Sequence, residues 1–545
     1  MRPWAGSTSD PHDVVVVGSG AIALTAALAA ATGGRRVLVL EKGPYLGGTA
    51  AVSGGMVWIP CNRHMRALGI GDERDAALRY LRVVTDGRTD ESVLEAFVGH
   101  ADELLGFVDE VAGLRFRPLE QFPDYHPEWD GAHRGGRSLE PELYDASALG
   151  DLAASLRPDA RPPFTMQEYE EWRIFTRFPW DDLDARSARG LVARGRALVA
   201  PLVRACAENG VTLVTGEGVA RLLSDATGVT GVVTTSGRRL VAPAGVILAC
   251  GGFEWAPDLV ASFLPGPVQG SCSPPHNTGD GIRMASKAGA QLGNMQEAWW
   301  GPMVRVPGDE MDGAQTSTLL RFERTGPRSV IVNRAGRRFV NEAHNYNDMT
   351  KAFHTFDPRA YTFENLPAYL VFDHAHLSEY GFLSHRADQP TPSWLTRAPT
   401  RAELAEQVGV DPSGLVGTIE EFNEHARHGE DPVFHRGESA YDRYWGDQLA
   451  PHPALGPVET PPFYAIEVVS GVIGTKGGIV TDAEARAVDA FGEPIPGLFA
   501  AGNTTAHLMG PGYAGAGSTL GPGMTMAMIA GRTCAREPAP IASRA

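Results

Sequence analysis

Four consecutive valines, Val14–Val17, form a short apolar run without alternation, which reads as a strand buried on both faces. The stretch Gly18-Ser19-Gly20-Ala21-Ile22-Ala23 ends it and opens an Ala-rich helix, after which Arg36-Val37-Leu38-Val39-Leu40 predicts a second strand. Apolar residues recur at helical spacing over 75–84 and 91–111, with Thr89-Asp90-Glu91 as a helix start, and again over the amphipathic stretch 191–208. Residues 211–216 predict a strand, 231–235 and 239–241 a hairpin around Ser236-Gly237, and 245–250 a second buried strand ending in Gly251-Gly252. Thr278-Gly279-Asp280-Gly281 opens a helix that runs through Ala290.

From about residue 299 to 463 the pattern changes, with more aromatics and prolines and several short segments. Two strands are expected at 329–333 and 338–341 around a turn at 334–336, and helices at 400–408 and 415–428. After residue 463 the first theme returns: a strand near 495–503 and, past a glycine-rich loop, an apolar helix to about Gly531. The expected organisation is an α/β protein with a disordered leader (1–12), one domain in two pieces (13–298 and 464–545) and an inserted α+β substrate domain (299–463).

The chemistry sits first in residues 18–23, spaced G-x-G-x-x-A. Gly18 permits the tight turn, Gly20 lets the backbone approach a pyrophosphate, and Ala23 keeps the helix close to the strand. The second strand ends on Glu41, about twenty residues on, where a carboxylate accepts ribose hydroxyls and disfavours a 2′-phosphate. The loop carrying Gly48, Thr49, Ser53, Gly54 and Gly55 has room for a flat ring, so the dinucleotide is read as FAD. Gly18, Gly20, Ala21, Glu41 and Lys42 are assigned to it with that loop. So are Gly251, Gly252, Asp280, Gly502 and Asn503, together with Gly517, Ser518, Thr519 and Leu520 ahead of the last helix, whose N-terminus carries a partial positive charge.

Composition narrows the class further. Glycine makes up 64 of 545 residues, about 12% against a usual ~7%, clustered in loops without a period. A net charge of −17 argues against a nucleic-acid surface and against anionic membranes. The five cysteines form no C-x-x-C pair, so no metal or iron–sulfur cluster is assigned and a reducing compartment is expected. Residues 1–12 lack the apolar core of a signal peptide and no apolar run has transmembrane length, so a soluble, cytoplasmic protein is expected.

With GSGAIA, Glu41 and GGTAAVSGGMVW near the start, RSVIVNRAGRRFVNEAHNY in the middle, and GTKGGIVTD, GLFAAGN and GYAGAGSTLGPGMT near the end, the chain resembles the FAD-dependent 3-ketosteroid Δ1-dehydrogenases, a branch of the fumarate reductase/succinate dehydrogenase flavoprotein superfamily. The resemblance spans nearly the full length and keeps the motif order. It implies a Rossmann-like FAD-binding domain of the GR2 type, a hydrophobic cyclic ketone or steroid held flat against the flavin, and a quinone or other electron acceptor. It also implies that Tyr513 and Gly517 hold the 3-keto oxygen, that Tyr346 removes the C2 proton, and that Tyr125 hydrogen-bonds to that base.

Those residue types suit the chemistry. A double bond beside a carbonyl requires loss of an α-proton and of a β-hydride, here to flavin N5, and each donor on the oxygen contributes about 3 kcal/mol by oxyanion-hole analogy. A phenol with an ordinary pKa of about 10 is a poor base and needs a neighbouring donor and positive potential. Two departures stand out: Ala514 replaces a proline common in the family, which is expected to loosen the loop of Tyr513, and aromatics at Trp172, Phe175, Phe178, Trp180, Trp299 and Trp300 are expected to reshape the entrance. His126, His133, His344, His354 and His507, and Arg324, Arg337 and Arg338, read as hydrogen-bonded, surface or ion-paired residues. A fumarate-reductase-like reductase is the alternative, but the superfamily's basic H-G-x-N-R-L segment is replaced by apolar MGPGYAGAG.

Overall fold

The computed structural model describes residues 11–383 and 385–536, so residues 1–10 of the expected leader lie outside the described residues. Strand β1 (Val14–Val17) is buried throughout and pairs in parallel with β2 (Val37–Glu41) on one side and Gly245–Leu248 on the other. The six-stranded sheet runs in the order 486–488, 494–500, 245–248, β1, β2, 212–215, parallel except for the antiparallel edge strand Arg486–Val488. Both faces are covered, which is why β1 needs no polar alternation. Val14 and Val16 meet helix α1 (Ala21–Thr32) and the C-terminal helix Leu520–Arg536, while Val15 and Val17 meet Val229, Val232, Leu240 and Met284.

Helix α1 is buried almost all round, so it carries no amphipathic stripe. Its alanines let the C-terminal helix lie close along it. At the turn before it Gly18 adopts φ +105°, and a Cβ there would collide with the Ala249 carbonyl. Gly18→Ala is therefore expected to purify with most of its flavin lost and to melt lower, the backbone term alone costing at least about 1 kcal/mol. The ratio of flavin to protein absorbance of the purified variant checks this.

The second large sheet has seven strands built around the long strand Phe463–Thr475. Ala298–Val304 and Ala368–Asp373 flank it antiparallel, Ser329–Asn333 lies outside the latter and Thr318–Leu319 outside the former. The end of the long strand reaches the loop after Gly245–Leu248, because the hydroxyl of its last residue, Thr475, accepts the N–H of Phe253 just beyond Gly251-Gly252 at 3.0 Å.

Several expected elements differ. Residues 338–341 form no strand, only a single bridge from Arg338 to Val332. Arg338 is instead drawn into a buried network with Glu342 (2.6 Å) and Asp431 (2.7 Å), which Arg436 joins at Glu342 (3.1 Å). The helix expected over 191–208 starts at Arg194, because Leu191–Val192 pairs with Tyr144–Asp145 as a short ribbon. The helix opened at 278 is shorter, Asp280–Lys287, and the hairpin is one side of a three-stranded sheet. Among the described residues no helix is long and apolar enough to cross a membrane.

Candidate active site

A cradle for a dinucleotide is built where β1 turns into α1. Gly20 is the N-cap of α1, no side chain caps that end, and a Cβ on Gly20 would meet nothing in the protein nearer than the Gly47 carbonyl at 3.9 Å. The open side and the orphan N–H groups of the first turn suit a pyrophosphate. At the end of β2 the Glu41 carboxylate accepts from Ser19 Oγ (2.7 Å) and from the Gly43 N–H (2.7 Å), which fixes it beside the same turn. Ser53 Oγ donates to the Ala50 carbonyl (2.7 Å) and accepts from Gly55 N–H (2.9 Å), so the small-residue loop is shaped by its own hydroxyl.

Three buried tyrosines, remote from one another in sequence, converge elsewhere in the fold. Tyr125 OH donates to Tyr346 OH at 3.1 Å, and the ring centroids of Tyr125, Tyr346 and Tyr513 lie 4.9 to 5.6 Å apart. Tyr346 opens the helix Tyr346–Lys351, whose start is fixed by Asn345 accepting the Asp348 N–H at 3.0 Å. Buried Arg324 donates to the carbonyls of Glu342 and His344, tying down the segment ahead of Tyr346. Burial pushes the Tyr346 phenol well up, nearby Tyr513 adds to this, and the hydrogen bond from Tyr125 opposes it. Tyr513 OH lies 3.3 Å from Thr519 Oγ1. Nothing among the described residues accepts the N–H of Gly517, four residues on. The cluster thus holds one phenol that receives a hydrogen bond and a second phenol that lies four residues before an unpaired backbone N–H.

The loop of Tyr513 is held firmly, contrary to the looseness expected from Ala514. The Ala514 carbonyl accepts from the Tyr125 N–H (2.9 Å) and from Tyr80 OH (2.7 Å). Fully buried Lys476 donates to the Gly512 (2.6 Å) and Pro511 (3.2 Å) carbonyls, and Lys351 also to Pro511 (2.9 Å). The Lys476 ammonium lies 4.3 Å from the Trp299 ring centroid and 6.0 Å from that of Tyr513, and burial brings its pKa down to about 7.

The described residues also gather His126, His344 and Asp348, a group the cysteine pattern could not signal. His126 Nε2 pairs with Asp348 at 2.9 Å, and its ring stacks on Trp129 at 3.7 Å. Burial raises the Asp348 carboxyl, but His126 and Lys351 hold it far below the usual range.

A family model described as an FAD binding domain matches residues 13–520. The chain belongs to the FAD-binding domain family. It is 52% identical over 548 residues to 4-oxocyclohexanecarboxylate 2-dehydrogenase of Sinomonas cyclohexanicum, covering 99% of this chain and 95% of that one. It is 38% identical to 3-oxosteroid 1-dehydrogenase of Mycolicibacterium smegmatis, with 96% and 97% coverage. The crystal structure of 3-ketosteroid Δ1-dehydrogenase from Sterolibacterium denitrificans, in complex with 1,4-androstadiene-3,17-dione, superposes with a TM-score of 0.91 at 36% identity and covers 97% of this chain and 100% of that one. The protein is an FAD-dependent oxidoreductase acting on a CH–CH group.

Within that family assignment, the structure places the expected cofactor residues unevenly. Gly18, Gly20, Ala21, Glu41 and Gly48 surround the turn, and Gly502 approaches Ile22 from the far side. Lys42 and Asp280 are brought together as an ion pair of 2.7 Å. Thr49 Oγ1 accepts from Asn277, and Asn503 Oδ1 accepts the Trp299 indole N–H, each at 3.0 Å. Ser518 Oγ closes the loop onto Gly515, and Leu520 begins the last helix.

Sequence reasoning missed Ser19, whose hydroxyl bridges Glu41 and the Gly47 N–H, and Tyr441, whose ring lies 4.9 Å from Tyr125. Lys476 was also missed, although a signal existed: it is the only cation between Phe463 and Ile479 and glycines flank it closely. Of the entrance aromatics, Trp299 contacts Tyr513 at 4.6 Å, whereas Trp300 packs on His354 and Trp172 on Phe178.

Proposed function

We propose that this chain introduces a carbon–carbon double bond beside the carbonyl of a cyclic ketone, and that its ketone is a single ring of the 4-oxocyclohexanecarboxylate type. The observation that carries the reading is the Tyr125–Tyr346 pair set against Tyr513 and the unpartnered Gly517 N–H. The ring size is supported by 52% identity to a 4-oxocyclohexanecarboxylate dehydrogenase, against 38% to an oxosteroid dehydrogenase.

FAD would be held by the α1 turn, Glu41, the loop of Gly48 to Gly55 and the segment Gly517 to Leu520. When bound, FAD supplies the acceptor for the hydride that leaves the β carbon. The Tyr513 hydroxyl and the Gly517 N–H hold the keto oxygen and stabilise the negative charge that grows on it as the α-proton leaves. Tyr346 Oη receives that proton, and the Tyr125 hydroxyl, donating to the same oxygen, favours its phenolate. Lys476, 6.0 Å from the Tyr513 ring centroid, adds positive potential there in its protonated form, which is lost as pH rises through about 7. Aromatic walls exclude water, and a quinone or another electron acceptor completes the turnover.

A 3-ketosteroid is the second reading, favoured by the superposition on the steroid enzyme. Anaerobic mixing of the flavin-loaded protein with 4-oxocyclohexanecarboxylate and, separately, androst-4-ene-3,17-dione separates the two. Faster bleaching of the flavin band by the acid is expected. Faster bleaching by the steroid would reverse the ring assignment, and no bleaching by any cyclic ketone would overturn the reading.

A further inference from the structure

We propose that His126 and Asp348 are a positioning pair that sets the hydrogen bond from Tyr125 to Tyr346, and with it the readiness of Tyr346 to take a proton. The pair rests on the cyclic-ketone reading above, and both residues act through the tyrosines.

Tyr125 lies in a stretch, residues 119–137, that has no helix or strand of its own. The stretch is tied to the elements that carry Trp58, Tyr80 and Ala514. Asp124 accepts the Trp58 indole N–H at 2.7 Å and the Arg137 guanidinium at 2.8 Å. The Tyr125 N–H donates to the Ala514 carbonyl at 2.9 Å, and the His126 N–H donates to Tyr80 OH at 3.3 Å. None of these ties reaches the helix Tyr346–Lys351. Among the described residues two polar contacts do: the 3.1 Å hydrogen bond from Tyr125 to Tyr346, and the 2.9 Å pair of His126 Nε2 with the Asp348 carboxylate. They join two adjacent loop residues to two helix residues in the same turn, so both depend on the same placement of loop against helix.

Each half of the pair is fixed on its own element. The helix has only six residues, too few to hold its geometry unaided. Asn345 Nδ2 donates to one Asp348 oxygen at 3.0 Å, Asn347 Nδ2 donates to the other at 2.8 Å, and Lys351 Nζ lies 3.4 Å from the latter. On the loop, the His126 ring lies nearly parallel to Trp129 with centroids 3.7 Å apart, and its side chain is 7% exposed. The charged and titratable groups facing Asp348 are His126, His344 and Lys351. His126 and Lys351 hold its carboxyl far below the usual range, so it is ionised. An ionised oxygen at 2.9 Å requires Nε2 to carry its proton, which makes the contact attractive.

The bond that this pair protects is easily lost. At 3.1 Å it is long for two hydroxyls, whose usual separation is about 2.7–2.8 Å, so a small slip of loop against helix breaks it. Ring packing does not prevent the slip. The two rings meet edge-on at 5.6 Å, and such contacts persist over about 4.5–7 Å. The 2.9 Å charge contact beside it holds the register, and the Tyr125 proton stays on the oxygen assigned to receive the α-proton.

The test uses the flavin-loaded protein and whichever cyclic ketone bleaches wild type fastest. His126→Leu, His126→Gln and Asp348→Asn are each measured alone and in a Tyr125→Phe background. His126→Leu should lower kcat about 10-fold or more, as for loss of a hydrogen bond to a charged oxygen, with KM little changed. His126→Gln, which keeps an N–H at similar reach, should restore part of the rate. In the Tyr125→Phe background the same substitutions should have little further effect, because no hydroxyl remains to be positioned.

Unchanged kcat in both His126→Leu and Asp348→Asn would overturn the pair, and so would equal losses with and without the Tyr125 hydroxyl. A rise in KM at constant kcat would move these residues to substrate binding and overturn it too. Activity lost to EDTA and restored by Zn2+ would replace the pair by a metal held between His126, His344 and Asp348. Should His126→Leu fail to fold, Asp348→Asn makes the same comparison from the helix side. Bleaching in wild type with fully active variants sinks the pair alone. A wild type that no cyclic ketone bleaches sinks the reading of the function and the pair together.

Discussion

Tyr346→Phe is expected to slow ketone-driven flavin bleaching by about 10²–10⁴-fold, the range for removing a positioned general base. The substitution removes one oxygen and keeps the ring, so the edge-on contacts with Tyr125 (5.6 Å) and Tyr513 (5.5 Å) survive. What is lost is the atom that takes the α-proton and the acceptor for the Tyr125 hydroxyl. Leaving that buried donor unpaired costs about 1–3 kcal/mol of stability, which lowers the melting temperature without unfolding the protein. Ketone binding should change little, because the keto oxygen is assigned to Tyr513 and Gly517. Two readouts distinguish a lost base from general damage. Wild type should exchange substrate α-protons with D2O and the variant should not. The wild-type rate should also rise with pH, since burial pushes the Tyr346 phenol well up and alkaline conditions enlarge its ionised fraction, whereas the variant should lack that slope. Unchanged bleaching in Tyr346→Phe would remove this residue from the mechanism.

The nucleotide unit was legible because its signals are local. A valine run, two glycines at fixed spacing and an acid at a strand end are each dictated by a few neighbouring atoms, and the structure keeps them at one turn. The tyrosines were legible only through resemblance, since Tyr125, Tyr346 and Tyr513 are remote in sequence and meet from two loops and the start of a short helix. Segment 338–341 misled for a related reason. Its Phe339-Val340 pair past a glycine turn suits a strand, but Arg338 is engaged by Glu342 and Asp431 rather than by a ladder. Lys42 and Asp280 look like independent cofactor ligands until the fold pairs them across 238 residues.

The same limit explains Ala514. Proline would restrict one backbone angle, an entropic effect of about 0.4–1 kcal/mol. The loop is instead held through carbonyls at Pro511, Gly512 and Ala514, which depend on no particular side chain in the loop. Rigidity here is supplied by Tyr80, Lys351 and Lys476, which lie outside the motif that would be inspected for it.

That rigidity gives the second large prediction its size. Tyr513→Phe is expected to lower kcat for the ketone by about 10²–10³-fold, the loss found when one preorganised donor is removed from a developing oxyanion. The ring should stay in place, wedged against Trp299 at 4.6 Å and Tyr125 at 4.9 Å, so only the hydroxyl is tested. Thr519 Oγ1, 3.3 Å from that hydroxyl in the parent, has no path to replace it without leaving its own turn. The residual rate should reflect the Gly517 N–H acting alone. In contrast to Tyr346→Phe, the base remains, so the rise of rate with pH should persist while α-proton exchange falls in step with bleaching, because both pass through the same enolate. If exchange stayed at the wild-type rate while bleaching fell, Tyr513 would be acting on hydride departure, and the keto oxygen would have to be held elsewhere.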